Sequence, residues 1–294
     1  MKQQNSKNVF IFGLGYVSAS LAIVLRQKGW HVAGTCRSET RQKTMRKRGI
    51  EAYIFDGVHS MDVPQGAITA ANYILCSIPP SEVGDPGLLV YRSEITAARN
   101  LCWIGYLSTT GVYGNRNGAE VDEHSTVQPT SERGRRRVDA ETSWLEFGEA
   151  IGQNVQVFRL AGIYGPNRNV IIRVRAGFAN RIQKKGHVFS RIHVDDVVAT
   201  LCSSMETPRG GAIYNVCDDE PAPQSDVVEF ACKLMGAPIP RLVPFEEAFK
   251  DMSEMSKTFW VDDRRVSNNK IKTELGVTLS YPTYREGLAS LLTG

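Results

Sequence analysis

The stretch that decides the fold is Asn8-Val-Phe-Ile-Phe-Gly-Leu-Gly-Tyr-Val-Ser18. Residues 9–12 form a short apolar run of β-branched and aromatic side chains, which predicts a buried strand. Two glycines follow directly, and apolar residues then recur at helical spacing up to residue 25. A strand, a glycine turn and a helix in this order are typical of a phosphate-binding βα unit.

The two glycines and the start of the helix are suited to binding a pyrophosphate. Gly13 permits a tight turn, and Gly15 lets the backbone approach the phosphates closely. The first helical residues, Tyr16 and Val17, contribute free N–H groups and the positive end of the helix dipole. Ser18 holds the third fingerprint position, where a small residue serves helix–strand packing. We therefore expect this turn to bind a dinucleotide, the alternative being a turn that only connects two elements.

The residues after the second predicted strand, 30–36, indicate which cofactor is bound. An Asp or Glu there would bind the ribose hydroxyls of NAD, but the chain has Arg37 followed by Ser38. A guanidinium is a bidentate phosphate partner and a hydroxyl donates to the same group, which favours NADP over NAD. The alternative is an exposed arginine at the start of a helix. Glu39 is acidic but comes late, and it could cap that helix.

Further strands are predicted at 50–55, 73–77, 101–107 and 155–160, alternating with helices at 39–47, 88–99 and 131–147. The polar stretch 115–129 is predicted to be a loop. This alternation predicts an α/β fold with a doubly wound, Rossmann-like parallel sheet. Beyond residue 160 we predict a helix at 171–182, a strand at 188–194, a helix at 197–205, a strand at 212–216 and a helix at 225–235. The predicted domains are a dinucleotide-binding domain over 1–165, with returning segments from about 188–216, and a smaller C-terminal substrate-binding region over 166–294.

Two strand ends supply further candidate cofactor contacts, because ligands bind outside the carboxyl ends of strands in such sheets. The third strand ends at Asp56 and Gly57, and the fourth at Ile78 and Pro79. We expect Asp56 to lie near the adenine, the alternative being an ordinary turn aspartate.

Composition narrows the class of protein. The chain has 294 residues and a net charge of +4, which suits an anionic ligand without indicating nucleic acid. Six cysteines include no C-x-x-C pair, so we expect buried free thiols in a reducing compartment and no metal site. No apolar run reaches the length of a membrane helix. A cytoplasmic protein is expected, with no membrane partner.

Several motifs together resemble the extended short-chain dehydrogenase/reductase family of sugar-nucleotide epimerases and dehydratases. The matching pieces are the turn at 13–18, Ser-Thr-Thr-Gly-Val-Tyr-Gly at 108–114, Arg-Leu-Ala-Gly-Ile-Tyr-Gly-Pro at 159–166, Arg-Ile-His-Val-Asp-Asp at 191–196 and Tyr-Asn-Val at 214–216. The resemblance implies a small C-terminal domain that closes over the substrate, and it implies that homodimers are common. It also places Ala161, Gly162 and Ile163 at the cofactor.

The catalytic motif of that family is altered in this chain. The family uses a Ser or Thr, which matches Thr109, and then the pattern Y-G-x-S-K-x-x-A-E. This sequence reads Arg133-Gly-Arg-Arg-Arg137-Val-Asp-Ala-Glu141, so Arg133 replaces the Tyr and Arg137 the Lys. The chain therefore resembles an atypical branch of the family that lacks the Tyr-x-x-x-Lys pair. Thr109, Arg133 and Arg137 are the candidate catalytic residues.

The substitutions change what this helix can do. An arginine does not exchange protons at working pH, so Arg133 cannot act as the acid or base. Arg137 can still donate to the nicotinamide ribose hydroxyls. Because the two lie four apart on one helix, they could together bind an anionic substrate, the alternative being a solvated basic face. Tyr113 and Tyr164 are interpreted as structural, and His193 as a packing and capping residue.

The prediction is an NAD(P)-binding, epimerase/dehydratase-like or reductase-like protein. Its substrate would be a small molecule, anionic or nucleotide-linked. The alternative is a non-catalytic NADP-binding sensor or regulatory protein. Nucleic-acid binding is not expected, because the basic run at 133–137 is short and has no flanking aromatics.

Overall fold

The computed structural model describes residues 7–59 and 63–292. Its strands are β1 Asn8–Phe12, β2 His31–Cys36, β3 Glu51–Ile54, β4 Tyr73–Cys76, β5 Trp103–Thr109, β6 Glu120–Val121, β7 Val155–Leu160, β8 Gly162–Tyr164, β9 Arg181–Gln183, β10 Arg191–His193, β11 Ile213–Val216, β12 Leu242–Pro244 and β13 Arg265–Val266. Its helices are α1 Tyr16–Gln27, α2 Glu39–Arg46, α3 Gln65–Thr69, α4 Pro86–Thr96, α5 Glu132–Ile151, α6 Val170–Arg175, α7 Val194–Glu206, α8 Gln224–Met235, α9 Phe245–Lys250, α10 Glu254–Val261, α11 Asn269–Leu275 and α12 Tyr284–Ser290.

Seven strands form one parallel sheet in the order β11-β7-β5-β4-β1-β2-β3. From β1 the chain first builds outward through β2 to β3, and then continues on the other side of β1 with β4. The strand order therefore reverses between β1 and β4, and ligands of such sheets bind in the crevice beyond the carboxyl ends at this point. The predicted doubly wound, Rossmann-like α/β fold is confirmed.

Apolar side chains from both the strands and the helices fill the core of this sheet. Strand β1 is buried from Val9 to Phe12, as its apolar sequence predicted. The Phe12 ring lies 4.9 Å from that of Phe10 and stacks at 5.4 Å on Tyr91 of α4. Burying such aromatic side chains is the main favourable term in folding, and it fixes the strand ends from which the ligand-binding turns start.

The chain divides into two compact units, each made of interleaved segments. Unit 1 comprises Met1–Ser108, Arg136–Phe158 and Thr200–Tyr214, and unit 2 comprises Thr109–Arg135, Arg159–Ala199 and Asn215–Gly294. Unit 1 contains most of the large sheet. Unit 2 contains a second core cluster, which includes Tyr164, Ile171 and Tyr284. The domain boundary at residue 165 remains a prediction.

One predicted helix was wrong in length. The helix expected over 171–182 ends at Arg175, and strand β9 follows at Arg181. The reason is local, because Gly177 adopts a φ of +72° after the last turn. The Gly177 N–H donates to Val174 O, and the Phe178 N–H donates to Arg173 O, which is the Schellman stop of a helix.

Two other predictions in this part of the chain needed correction. The strand expected over 188–194 is confined to β10, since α7 already begins at Val194. The polar stretch 115–129, expected to be a loop, contains the short strand β6, which pairs in parallel with β13. A two-residue strand has no periodicity that the sequence could reveal.

Candidate functional site

The turn after β1 has a geometry that only glycine accommodates. Gly13 has a φ of +91°, and a Cβ there would lie 3.0 Å from Ile78 Cγ1. The Gly13 N–H donates to Thr35 Oγ1 at 2.9 Å, and the Leu14 N–H donates to Thr35 O at 2.6 Å. The turn is therefore held between the ends of β2 and β4.

Gly15 leaves open space at the start of α1. A Cβ on Gly15 would meet none of the described atoms within 4 Å, and the residue itself is exposed. Gly15 is the N-cap of α1, and no side chain within the described residues caps that helix. Helix α1 starts at Tyr16, which is half-buried, and continues with Val17, which is buried. Room for a ligand and a helix N-terminus without a side-chain cap suit an anion such as a pyrophosphate.

An arginine that the sequence reasoning missed holds this turn from outside. Arg41 lies in the first turn of α2, where its Nε donates to Leu14 O at 2.9 Å. One of its terminal nitrogens donates to Gly15 O, also at 2.9 Å. No sequence signal separates Arg41 from Arg46 and Arg48, two other arginines of the same segment. Only the fold shows which of the three reaches the glycine turn.

The two residues expected to recognise NADP follow β2 directly. Both Arg37 and Ser38 are exposed. The Ser38 hydroxyl caps α2 by accepting the Arg41 N–H at 3.3 Å, and its own hydrogen can still be donated. The N-cap of α2 is thus Ser38 and not Glu39, the residue that the sequence suggested. Glu39 is the first helical residue and pairs with Lys43 at 3.5 Å.

Four further predicted cofactor contacts of unit 1 follow strands β3 and β4. The Asp56 carboxylate accepts the N–H groups of Val58 at 2.7 Å and His59 at 2.8 Å. Its hydrogen bond with the His59 ring, together with these two, holds the pKa of Asp56 well below its usual range. Gly57 has a φ of +99°. Ile78, half-buried, lies against the glycine turn, and the next residue, Pro79, is exposed.

Thr109 and Arg133 lie on two turns of unit 2 that adjoin each other. The Thr109 side chain caps a 3-10 turn over 110–113 by accepting the Gly111 N–H at 3.1 Å. Gly134 on α5 packs so closely that a Cβ there would lie 3.4 Å from Gly111 O. Arg133 precedes this glycine in the first turn of α5, and its side chain is exposed. A hydroxyl and an exposed guanidinium thus lie on adjoining turns.

Arg137 lies in a different environment from Arg133. Its side chain belongs to unit 1, where the residue is 8% exposed. One terminal nitrogen donates to the Tyr106 hydroxyl at 3.0 Å and to Leu107 O at 2.6 Å. The predicted common face of the two arginines is therefore divided between an exposed and a buried guanidinium. Whether either contacts a ligand remains a prediction.

A second charged residue of α5 holds the same strand end. Glu141 lies four residues after Arg137, is 3% exposed, and accepts a hydrogen bond from the Ser108 hydroxyl. Arg137 and Glu141 therefore hold consecutive residues of β5, namely Leu107 and Ser108. Neither role was predicted, because the sequence register marks Arg137 as a lysine equivalent and gives Glu141 no task.

The motif at 159–166 supplies backbone rather than free side chains. The Ala161 N–H donates to Val216 O at 3.0 Å, and the Gly162 N–H donates to Ser190 O at 3.1 Å. Ala161 is buried, Gly162 exposed and Ile163 half-buried. Their assignment to the cofactor remains a prediction.

Other candidate proton donors are held in the interior of unit 2. The Tyr113 hydroxyl donates to Asn215 Oδ1 at 2.7 Å and accepts from Arg159 at 2.9 Å, which suits its structural interpretation. Burial raises the pKa of Tyr113 and of Tyr164. His193 is 1% exposed, and burial lowers its pKa.

Over 7–59 and 63–292, no group of three or more His, Cys, Asp or Glu side chains is arranged to hold a metal ion. Within the same ranges, no helix combines the length and the apolar character needed to cross a bilayer.

Two solved structures of low sequence identity share the fold of this chain. One is a dTDP-glucose 4,6-dehydratase from Bacillus anthracis in complex with NAD, with 16% identity, a TM-score of 0.78, and coverage of 98% of this chain and 96% of that one. The other is a UDP-glucose 4-epimerase from Thermotoga maritima, with 18% identity, a TM-score of 0.78 and 97% coverage of both chains.

A nearer relative shows the family. A conserved protein of unknown function from Silicibacter pomeroyi has a structure with a TM-score of 0.87, is 42% identical, and is aligned over 98% of this chain and 99% of its own. The chain belongs to the same family as that protein. No family model matches the chain.

Two curated proteins are similar in sequence. Protein YeeZ of Escherichia coli K12 is 27% identical over 286 residues, which cover 94% of this chain and 97% of YeeZ. A 3-diazoavenalumate denitrifying reductase from a Streptomyces species is 30% identical over 138 residues, or 45% of each chain.

Proposed function

We propose that the protein binds NADP at the glycine turn and catalyses reduction of a small anionic substrate. The observation that carries the proposal is the turn itself, where a positive φ at Gly13 and the open space at Gly15 precede a helix without a side-chain cap. The preference for NADP rests on Arg37 and Ser38, which are exposed immediately after β2. A guanidinium and a hydroxyl at this place suit a 2′-phosphate better than free ribose hydroxyls.

The replacement of the family's tyrosine favours reduction over epimerisation. An epimerase must remove a proton from its substrate, and Arg133 offers donors only. NADPH supplies a hydride when bound, and a reduction needs no protein base if water delivers the proton. A relative named as a denitrifying reductase agrees with this choice. The exposed Arg133 guanidinium binds the anionic group of the substrate, and the Thr109 hydroxyl, on the adjoining turn, donates a hydrogen bond to it.

Nucleotide preference is the first test. We expect wild-type protein to bind NADPH more tightly than NADH, and Arg37→Ala to lose roughly ten- to a hundredfold in NADPH affinity, or about 1.5–3 kcal/mol for one charge-assisted contact. Isothermal titration calorimetry measures both nucleotides. Arg48→Ala, which removes another exposed arginine of the same segment, is the matched control. Equal or tighter NADH binding by the wild type would refute the cofactor assignment.

Turnover separates a reductase from a non-catalytic NADP sensor, which the missing tyrosine also favours. We expect NADPH oxidation, followed at 340 nm, with small carboxylate-bearing electrophiles and none with uncharged analogues. Arg133→Ala should raise KM at least tenfold, because the substrate anion loses its cation, while Arg135→Ala, paired with Glu132 at 2.9 Å, changes little. NADPH binding without oxidation across such a panel would favour the sensor.

A further inference from the structure

Arg41 spans the two carbonyl groups of the glycine turn. Its Nε and one terminal nitrogen donate to Leu14 O and Gly15 O, both at 2.9 Å, from a side chain that is half-buried. A guanidinium is planar and holds its donors in a fixed fork, so two bonds to consecutive carbonyls fix both at once. The same residue is tied to its own helix start, because its N–H donates to Ser38 Oγ.

Fixing these carbonyls fixes the peptide planes to which they belong. The carbonyl of Leu14 is rigidly coupled to the N–H of Gly15, and the carbonyl of Gly15 to the N–H of Tyr16, because each peptide unit is planar. The Gly15 N–H donates to Gly13 O at 2.8 Å, which closes the turn. The Tyr16 N–H belongs to the first turn of α1, the turn that an anion would approach.

We propose that Arg41 is a positioning residue that preorganises the glycine turn for the pyrophosphate, and that it does not select the 2′-phosphate. In this arrangement Arg37 and Arg41 have different roles in nucleotide binding. Arg37, exposed after β2, discriminates NADP from NAD, whereas Arg41 orients the backbone that both nucleotides share. A turn that is already fixed pays less ordering entropy when the ligand binds.

The two arginines therefore differ in which nucleotide they affect. Arg41→Ala should weaken NADPH and NADH by the same factor, about tenfold, and leave the ratio of their dissociation constants unchanged. Arg37→Ala should weaken NADPH alone. Arg41→Lys should recover only part of the loss, since a single ammonium does not reproduce the planar fork.

Arg46 offers a matched control on the same helix. Its Nε donates to Ala52 O at 3.1 Å, so Arg46→Ala also removes an arginine-to-carbonyl bond of α2, but away from the glycine turn. Arg46→Ala should bind both nucleotides as the wild type does. Melting temperatures of all variants show whether each remains folded, and Arg41→Lys serves if Arg41→Ala does not.

A second readout needs no nucleotide, although the affinity measurement rests on the proposed function. In ligand-free protein, amide hydrogen exchange of Leu14 and Gly15, whose N–H groups donate to Thr35 O and Gly13 O, should speed up at least tenfold in Arg41→Ala and stay unchanged in Arg46→Ala. If wild-type protein binds neither nucleotide, the proposed function fails while exchange still tests the role of Arg41. Unchanged exchange in Arg41→Ala would overturn the proposal, as would a loss confined to NADPH, which would make Arg41 a phosphate ligand.

Discussion

Two charged residues of unit 1 and one histidine of unit 2 are buried to a similar degree but are held differently. In unit 1, both Arg137 and Glu141 are almost fully buried. Arg137 donates hydrogen bonds to the Tyr106 hydroxyl and Leu107 O of β5, and Glu141 accepts one from the Ser108 hydroxyl of the same strand. In unit 2, His193 is equally buried, but its Nε2 finds no hydrogen-bond partner among the described residues. Its Nδ1 accepts the Asp195 N–H at 3.2 Å, and its ring lies 4.1 Å from that of Tyr281.

The difference shows what each group contributes to stability. A buried charged group is tolerated only when it is hydrogen-bonded. Removing that group therefore leaves its former partners buried without a hydrogen bond. A buried neutral imidazole needs only to stay neutral, and its cost appears when the pH falls. Removal of Arg137 should therefore lower the free energy of unfolding strongly at neutral pH, whereas His193 should lower it chiefly at acidic pH.

Arg137→Met carries the largest effect that we expect. The change removes the donor to the Tyr106 hydroxyl and to Leu107 O, and it also removes a positive charge that counteracts the burial-raised pKa of Asp85. We expect a loss of about 3 kcal/mol in the free energy of unfolding, measured by urea titration at pH 7.5. Arg133→Met, four residues away and exposed, should stay within about 0.5 kcal/mol of the wild type.

These two variants test directly whether the buried arginine contributes more to stability than the exposed one. Similar losses in both, or a loss below about 1 kcal/mol in Arg137→Met, would mean that the buried guanidinium is not a matched structural cation. NADPH affinity of Arg137→Met, measured in the same preparation, tests separately whether this residue also holds the ribose.

A smaller effect is expected from pH. Burial lowers the pKa of His193, although the carboxylates of Asp195 and Asp196 oppose this shift. Below the ordinary histidine pKa, about 6.5, the unfolded chain takes up a proton that the folded chain refuses. Stability should therefore fall as the pH is lowered from 7.5 to 5.5, because protonation then favours the unfolded chain. Urea titrations at both pH values measure this change.

His193→Gln should reduce that pH dependence but not abolish it, because burial also lowers the pKa of His187. His124→Gln, at an exposed position, is the control and should leave the dependence as it is in the wild type. A His193→Gln variant with the wild-type dependence would show that His193 takes up its proton equally well in both states.

The sequence predicted the large sheet well and the charged groups of α5 poorly. The glycine turn and the apolar strands are local patterns. A positive φ at residue 13 requires a glycine, and the four buried residues before it are apolar, so both features are visible in the local sequence. The burial of Arg137 depends on tertiary packing. Nothing in the run Arg133–Arg137 tells that one guanidinium enters the core while another stays in solvent.

The contacts of the candidate site follow the same division. Register alone brought Thr109 and Arg133 into one hypothesis, and the close approach of Gly134 to Gly111 explains why they lie on adjoining turns. Arg41 and Glu141 were missed, because each acts on a backbone or hydroxyl group that is distant in sequence. Arg41 reaches back 27 residues to Leu14, and Glu141 reaches back 33 residues to Ser108.

The hydrogen bonds of Trp103 have a consequence for biosynthesis. Its buried indole N–H lies 2.7 Å from Gln156 Oε1 and 2.8 Å from Ser204 Oγ, groups that are 53 and 101 residues further along the chain. Between those two partners the polypeptide passes through residues 159–199, which belong to unit 2. On the ribosome, the nascent first unit thus waits for a late segment before its interior closes. A chain that stalls before residue 200 exposes an incomplete sheet, and it is then a natural client for chaperones.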